Sequence, residues 1–320
     1  MSPFLDYIIT SIALGMTFLY GCTGEILTEK SGHLNLGIPG IMCVGGACGC
    51  SALTLFYGTG IPEIIAVIVA IIASFLGGAL MGCIYCVLTV TLKSNQNVTG
   101  LAMTIFGAGL TKFIMAKMAT ASYEYLYAIK VFRFPFSLLR GSGALIYCGI
   151  MTFLAIAIAI TASFVLNRSR VGLHLRAVGE NPATADAVGI NVTKYKYGAT
   201  LIGSGIAALG GLYYIMDFSG SPEAYKTIES LGWLAVALVI FTLWRPNLSI
   251  IGSIVFGLLY LAGTRIPGLL GINLSMSATP LLKMLPYVVT TVVLIITSIG
   301  KKRENQPPAS LGLPYFREER

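Results

Sequence analysis

The side chains that most often catalyse reactions or hold metal ions are scarce in this sequence. Its two histidines, His33 and His174, are far apart along the chain. Cys83 and Cys86 form a CxxC pair, but no second CxxC or HxxxH completes a zinc-binding set. All seven cysteines lie in apolar stretches, where small packing residues are expected. The sequence therefore predicts no catalytic centre, no metal site and no cofactor.

The most informative polar segment is HLRAVGENPATADAVGI, at 174–190. Asn181 suits a helix N-cap, and Pro182 suits the first helical position, which needs no N–H. Gly189 can take the left-handed conformation after the helix, with Ile190 making the apolar contact that follows it. The segment thus predicts a rigid helix of about two turns at 182–188, roughly 10 Å long. A groove on another protein could receive such a helix, whereas the alternative is a plain loop between helices.

The composition places this helix in a membrane protein. Of the 320 residues, 56% are apolar and only 11% are charged, which is too little charge to cover a soluble fold. The 37 glycines are typical of closely packed membrane helices. The net charge of +8 reflects topology, because no basic patch with interleaved aromatic residues indicates nucleic-acid binding.

The predicted fold is all-α, a polytopic membrane protein with about eight to ten transmembrane helices. Apolar segments occur at 7–24, 34–57, 62–92, 98–116, 144–166, 197–216, 232–243, 248–263 and 281–299. The first is interpreted as a span and not as a cleaved signal. Segments 34–57 and 232–243 are predicted to be broken or re-entrant, and the similarity between 34–57 and 228–243 suggests inverted repeats.

Basic residues predict the orientation of the chain. Segments 167–196 and 301–320 together hold 10 of the 21 lysines and arginines and are separated by four spans, so both are assigned to the cytoplasm. The N-terminus and 217–229 then lie outside. The five basic residues in 112–140 argue against this topology. The alternating aromatic residues of 123–136 are interpreted as an interfacial belt, or alternatively as an external docking surface.

Several motifs, in order along the chain, resemble one family of transporters. RAVGENPATADAVGINV is similar to the cytoplasmic coupling segment of ABC-importer permeases of the branched-chain amino acid, ribose and nucleoside group. EKSGHLNLGIPG at 29–40, NQNVTG at 95–100, GWLAVA followed by WRP at 232–246 and LGLPYFREER at 311–320 resemble elements of the nucleoside branch. Departures include Pro39 in place of the family's Glu and Leu231 in place of its Arg.

The resemblance implies a permease subunit of an ATP-driven importer for nucleosides. Its implied partners are a second permease, a cytoplasmic ATPase, an external substrate-binding lipoprotein and a small polar solute. The sequence contains no GxxxxGK[ST], so ATP must be hydrolysed by the partner and not by this chain. Residues 1–300 form the permease domain in this view, and 301–320 form a cytoplasmic tail.

The resemblance and the residue types together give two sets of candidate residues. The ATPase-coupling set is Arg176, Gly179, Glu180, Asn181, Pro182, Ala183, Ala185 and Gly189. The substrate-path set supplies hydrogen-bonding or small groups beside predicted helix breaks, with a tryptophan that could stack on a ring. It comprises Asn35, Gly37, Gly40, Asn97, Thr99, Gly100, Thr104 and Trp233. For each of these, helix packing or capping is the competing explanation.

Three alternatives remain open at this stage. The cargo of the importer could be a sugar or a branched-chain amino acid. An ion-coupled secondary transporter needs intramembrane acidic residues or histidines, whereas the acidic residues here fall mainly at segment ends. A membrane enzyme has little support, because no HExxH, paired carboxylates or Ser/His/Asp arrangement converges.

Overall fold

Apolar helices form most of the part of the chain that the structure describes. A computed structural model gives residues 3–56, 59–118, 134–137, 145–270, 281–282, 284–300 and 306–316. The helices are α1 (Pro3–Glu29), α2 (Ile38–Leu55), α3 (Glu63–Cys86), α4 (Gln96–Met118), α5 (Ile150–Arg168), α6 (Arg170–Glu180), α7 (Pro182–Ala187), α8 (Val192–Tyr213), α9 (Tyr225–Phe241), α10 (Pro246–Leu270) and α11 (Leu285–Gly300). Short π-helical turns extend α3 over Val87–Thr91 and α8 over Tyr214–Ser219.

Seven of the described helices are long and apolar enough to cross a membrane. They are α1 to α5, α8 and α10, with the π-helical turns included where present. The apolar helices α9 and α11 are shorter, with 17 and 16 residues, or about 25 Å each. The predicted polytopic helical fold is confirmed. The structure adds one short antiparallel hairpin between α4 and α5, in which β1 (Phe134–Ser137) pairs with β2 (Leu145–Cys148).

Helices α1 and α8 form the centre of the bundle. Helix α1 packs against α5, α8, α9 and α10, whereas α8 also packs against α2 and α3. Glycines let these helices touch through their backbones, because Gly24 faces the Gly203 carbonyl and Gly45 faces Ala208. These contacts are the close helix packing that the abundance of glycine predicts.

The outer surface of α3 is apolar. Ile64, Ile68, Ile72, Leu76 and Leu80 recur every four residues and are each about half exposed or more. This spacing places them on one helical face, which a bilayer would cover.

The break predicted within 34–57 lies at the beginning of that segment. Residues 34–37 are not helical, and α2 is continuous from Ile38, with Pro39 in its first turn, where proline is tolerated. The prediction of an interrupted helix is therefore wrong for Ile38–Leu55. Residues 123–133 of the aromatic run lie outside the described residues, and the inverted repeat stays a prediction.

One end of the bundle, here called the α7 end, brings distant parts of the chain together. Ser310 donates its backbone N–H to the Gly179 carbonyl at 3.0 Å. The Tyr315 hydroxyl donates to Asp186 Oδ2 at 2.8 Å. These contacts place residues 310–315 of the C-terminal tail and the 167–196 segment at the same end of the bundle. At the opposite end, Arg265 near the end of α10 pairs with Asp6 near the start of α1 at 3.2 Å.

Candidate functional site

Helix α7 has the capped form that the sequence predicts, and it ends one residue earlier, at Ala187. The Asn181 side chain accepts the Thr184 N–H at 3.0 Å, and Pro182 occupies the first turn. Gly189 has φ +88°, and its N–H bonds to the Asp186 carbonyl. Ile190 then donates its N–H to the Ala185 carbonyl at 2.9 Å, which completes a Schellman motif.

Helix α6, which precedes α7, was not predicted. Its N-cap is Ser169, whose hydroxyl accepts the Gly172 N–H at 3.0 Å. Its buried residues Val178 and Gly179 lie three and four positions after the buried Leu175, and this helical periodicity with the Ser cap was the available signal. Helices α6 and α7 therefore form one helical pair joined at Asn181.

A small apolar cluster fixes this pair to the membrane bundle. Val178 of α6, Ala185 of α7 and Val192 of α8 are buried together, with Ile190 and Tyr315 packed against them. Gly179 of α6 lies against the backbone of the loop that follows α1. A Cβ added at Gly179 would overlap the carbonyl oxygen of Lys30 in this loop. A displacement of α7 must therefore move this loop or break these contacts.

Residues 306–316, here called the tail segment, cross both helices of the pair. Besides the Ser310 and Tyr315 contacts, the Leu313 carbonyl accepts Gln96 Nε2 at 3.4 Å. Lys93 Nζ lies 4.4 Å from the centre of the Phe316 ring. The tail segment thus joins α6 and α7 to the loop between α3 and α4.

The eight coupling candidates all lie on α6, on α7 and in the turns that cap them, and they differ in exposure. Gly179 and Ala185 are buried, Arg176, Pro182 and Ala183 are half-buried, and Glu180, Asn181 and Gly189 are exposed. Val188, beside Gly189, is 72% exposed. The exposed members could contact another protein, while the buried ones hold the helices in place.

A charged cavity of about 720 Å³ lies beside α6 at the α7 end. Lys30, Arg176, Glu180, Trp244 and Arg245 line it, with other residues of α5, α10 and the tail segment. Burial lowers the pKa of Lys30; Glu180 opposes this shift, and Arg176 and Arg245 add to it. The cavity therefore brings together charged side chains that influence one another's ionisation, near the end of α1, in α6 and just before α10.

Comparison with known proteins identifies the kind of molecule to which this arrangement belongs. Residues 4–298 match the family described as branched-chain amino acid transport system / permease component. The chain belongs to this permease family. A permease of this kind is a transporter subunit, and its apolar helices agree with a multi-pass membrane protein.

Individual relatives extend the match along most of the permease. This chain is 34% identical to TsgC13 of Haloferax volcanii, named as a glucose ABC transporter permease, over 74% of this chain and 70% of the relative. It is 30% identical to the nucleoside ABC transporter permease NupC of Lactococcus lactis, over 91% and 92% of the two chains. It is also 30% identical to the guanosine ABC transporter permease NupQ of Bacillus subtilis, over 98% of each chain.

Most of the predicted substrate-path residues of the permease meet where α2 and α4 begin. Asn35 is fully buried, and its Oδ1 accepts the Gly37 N–H at 2.9 Å. Thr104 Oγ1 donates to the Leu36 carbonyl at 2.8 Å. Gly40 also lies close to the backbone of α4 at Met103 and Thr104, and Gly100 lies close to Leu36 and Gly37 just before α2. This group, here called the α2–α4 junction, does not line the charged cavity beside α6.

Three predicted path residues differ from this pattern. Asn97 has an exposed side chain, whereas its neighbour Gln96 is buried and accepts the Leu34 N–H at 2.8 Å. Thr99 is buried but donates to the carbonyl of Asn95, the residue just before its own helix. Trp233 is half-buried on α9 and is not part of the α2–α4 junction.

The structure also reveals buried carboxylates that the sequence reasoning placed at segment ends. Glu25 is fully buried within α1, and its Oε1 accepts the Asn35 N–H at 3.1 Å. Glu29, one helical turn later, accepts the indole N–H of Trp244. The expected position at a segment end holds for Glu29, the last residue of α1, but both carboxylates are buried, because α1 ends among other helices and not in water.

Removing the α7 cap should loosen that helix. We expect Asn181→Ala to cost about 1 kcal/mol of local stability, because the Thr184 N–H loses its acceptor. Hydrogen exchange of the amides in 184–187 should then accelerate about fivefold. Asn191→Ala is the matched control, because Asn191 caps α8 through the Lys194 N–H. If the hydrogen-exchange rates of the α7 amides are unchanged in Asn181→Ala, the Asn181 cap does not stabilise this helix.

The buried His33 should make stability depend on pH. His33 lies in the loop between α1 and α2, and its Nδ1 is 3.1 Å from Thr200 Oγ1. Burial, with a smaller effect from Lys196, lowers the pKa of His33 to about 3. The imidazole has a higher pKa in the unfolded chain than in the folded protein. The contribution of His33 to the free energy of unfolding is therefore fully present above about pH 6.5 and falls as the pH drops towards 3. We expect a loss of about 2 kcal/mol between pH 7 and pH 5.

Thermal unfolding at pH 7 and pH 5 checks this expectation. His33→Gln keeps a polar side chain without a group that titrates in this range. The variant should therefore show a flatter pH profile than the wild type, whatever its stability at pH 7. Parallel profiles would show that other groups cause the acid sensitivity.

Proposed function

We propose that this permease is one of two membrane subunits of an ATP-driven importer, and that its cargo is a nucleoside. The observation that carries the cargo assignment is the 30% identity to NupC and NupQ over more than nine-tenths of both chains. TsgC13, named for glucose, matches over a smaller part of the chain. A sugar is therefore the second candidate cargo, and it shares hydroxyl-rich chemistry with the ribose of a nucleoside.

In this proposal, α7 receives the motion of a separate cytoplasmic ATPase. The exposed edge formed by Glu180, Asn181 and Gly189 supports docking, since it projects from a helix capped at both ends. ATP binding would move the docked helix, and Gly179 would pass that motion to the loop that follows α1. Arg176, Pro182, Ala183 and Ala185 would keep α6 and α7 in register.

The same proposal places the α7 end and the C-terminal tail in the cytoplasm. The basic residues of 167–196 and 301–320 support this orientation through the positive-inside rule. The beginning of α1 then faces outside, where a substrate-binding lipoprotein would deliver the cargo. A second permease subunit would complete the path between the two chains.

We propose that the α2–α4 junction borders that path. Asn35, Gly37, Gly40, Gly100 and Thr104 gather polar and small groups at the beginning of two apolar helices. Asn35 Nδ2 is buried without a hydrogen-bond partner among the described residues, so it could donate to a polar solute. Thr99 lies beside this group, and Trp233 could stack on a base from α9. Asn97 is the weakest member because its side chain is exposed.

Guanosine uptake by proteoliposomes tests the proposal. The vesicles would contain this chain, the permease and ATPase encoded by neighbouring genes, and the cognate binding protein on the outside. We expect uptake that requires ATP on the ATPase side. Glucose uptake without guanosine uptake would replace the cargo but keep the importer.

Uptake that needs no ATP would overturn the importer mechanism. The buried Glu25 and Glu29 are the observation that favours this second candidate function, because ion-coupled transporters place carboxylates at such depth. Collapse of an imposed proton gradient, with ATP held constant, distinguishes the two. Only the secondary transporter should lose uptake.

A further inference from the structure

A second cavity at the α7 end is lined by basic residues and has no part in the function proposed so far. It measures about 600 Å³ and lies among the π-helical turn after α3, the beginning of α8, the end of α7 and the tail segment. Lys93, Lys194 and Lys196 line it, and Asp186 supplies the one carboxylate among the described lining residues. Tyr315 donates a hydrogen bond to that carboxylate. The lining therefore has an excess of positive charge.

Lys196 gives this cavity the character of an anion site. Its side chain lines the cavity, yet the residue is only 3% exposed. No described residue forms a hydrogen bond or an ion pair with its ammonium group. The ammonium group therefore opens only into this cavity and has no ion-pair partner among the described residues, so an anion in the cavity would offset a poorly compensated charge.

The first turn of α8 adds to the attraction. Asn191, Val192 and Thr193 at the beginning of this 22-residue helix line the cavity. The amide groups of a helix N-terminus carry partial positive charge and favour anions.

The helices that wall the cavity present apolar surface beyond it. On α3, Ile84 is 39% exposed, and Val87, in the turn that follows α3, is 41% exposed; on α8, Ile202 is 53% exposed. A Cβ at Gly198, one turn before Ile202, would meet nothing within 4 Å, so α8 leaves open space there. A ligand with an anionic head and apolar chains would match both surfaces.

We propose that this cavity binds the phosphate group of an anionic phospholipid. The lipid phosphate contacts Lys194 and Lys196 and the beginning of α8, and its acyl chains lie along α3 and α8. Because Asp186, Gly189 and Tyr315 also line the cavity, the lipid joins α7 and the tail segment to the membrane helices. Basic cavities between membrane helices are established places for such headgroups.

Native mass spectrometry of the full-length chain in neutral detergent tests the proposal. We expect phosphatidylglycerol to bind at least tenfold more tightly than phosphatidylcholine. Lys194→Gln and Lys196→Gln should each weaken phosphatidylglycerol binding about fivefold. Arg170→Gln is the matched control, since Arg170 is an exposed basic residue of α6 outside both cavities, and it should bind as the wild type does.

Lys194 is exposed, so Lys194→Gln keeps the test valid if Lys196→Gln fails to fold. Equal binding of the two lipids would overturn the proposal, as would equal weakening by Arg170→Gln. Millimolar inorganic phosphate forms a second arm of the experiment. If phosphate binds with the same lysine dependence and phosphatidylglycerol does not, the site takes the free anion and the lipid assignment fails.

Discussion

Replacing Gly203 by alanine is expected to destabilise the permease by about 2 kcal/mol. A Cβ at this position would overlap the Gly24 carbonyl oxygen and lie 2.5 Å from Thr28 Oγ1. Gly24 is equally confined, since its Cβ would lie 2.9 Å from the Ala207 amide nitrogen. Apart from Thr28 Oγ1, these neighbours are backbone atoms of the two central helices, so relief requires α1 and α8 to separate along their contact.

Gly198→Ala is the matched control for this prediction. Gly198 is on the same helix, and an added Cβ meets nothing within 4 Å. Alanine favours a helix over glycine by roughly 0.5–1 kcal/mol, so this variant should be neutral or slightly stabilised. Thermal unfolding of both purified variants in one detergent gives the comparison. If both variants unfold at the same temperature as the wild type, α1 and α8 tolerate a wider separation.

Helix α7 could be predicted from sequence because its determinants are local. Asn181, Pro182, Gly189 and Ile190 act on amide and carbonyl groups no more than five residues away. Long apolar helices were predictable for a similar reason, because each must bury or shield its own backbone in a membrane. The structure confirms both the capped helix and the long apolar helices, with small shifts in their first and last residues.

The choice between neighbouring polar residues could not be made from sequence. Gln96 and Asn97 are adjacent, yet one helical step of about 100° separates a buried side chain from an exposed one. Which one faces inward depends on where α4 meets the loop that precedes α2. That contact spans 62 positions, between Leu34 and Gln96.

The tail segment shows the same limit over a longer range. Its motif resembles a family element, but no local pattern indicates that Tyr315 bonds to Asp186, 129 positions earlier. The depth of Glu25 was hidden likewise, because α1 is covered by helices that follow it much later in the chain. In both cases the missing information is tertiary packing and not the properties of the residues themselves.

Replacing Gly189 by valine is expected to uncouple ATP hydrolysis from uptake. Gly189 has φ +88°, and a β-branched residue there costs at least about 1–2 kcal/mol. Nothing lies within 4 Å of its added Cβ, so backbone strain and not a clash would unravel the end of α7. In the reconstituted importer, we expect uptake per ATP hydrolysed to fall at least tenfold, with membrane insertion unchanged.

Gly60→Val separates coupling from strain, because Gly60 has a comparable φ of +70° and equally open surroundings. It lies in the loop between α2 and α3, whereas the proposed ATPase contact is at the α7 end. The control should therefore lose similar stability while keeping its ratio of uptake to hydrolysis. If both valine variants transport normally, α7 does not carry the motion. If both lose transport equally, the loss reports a weakened fold. Only a loss confined to Gly189→Val assigns coupling to this helix.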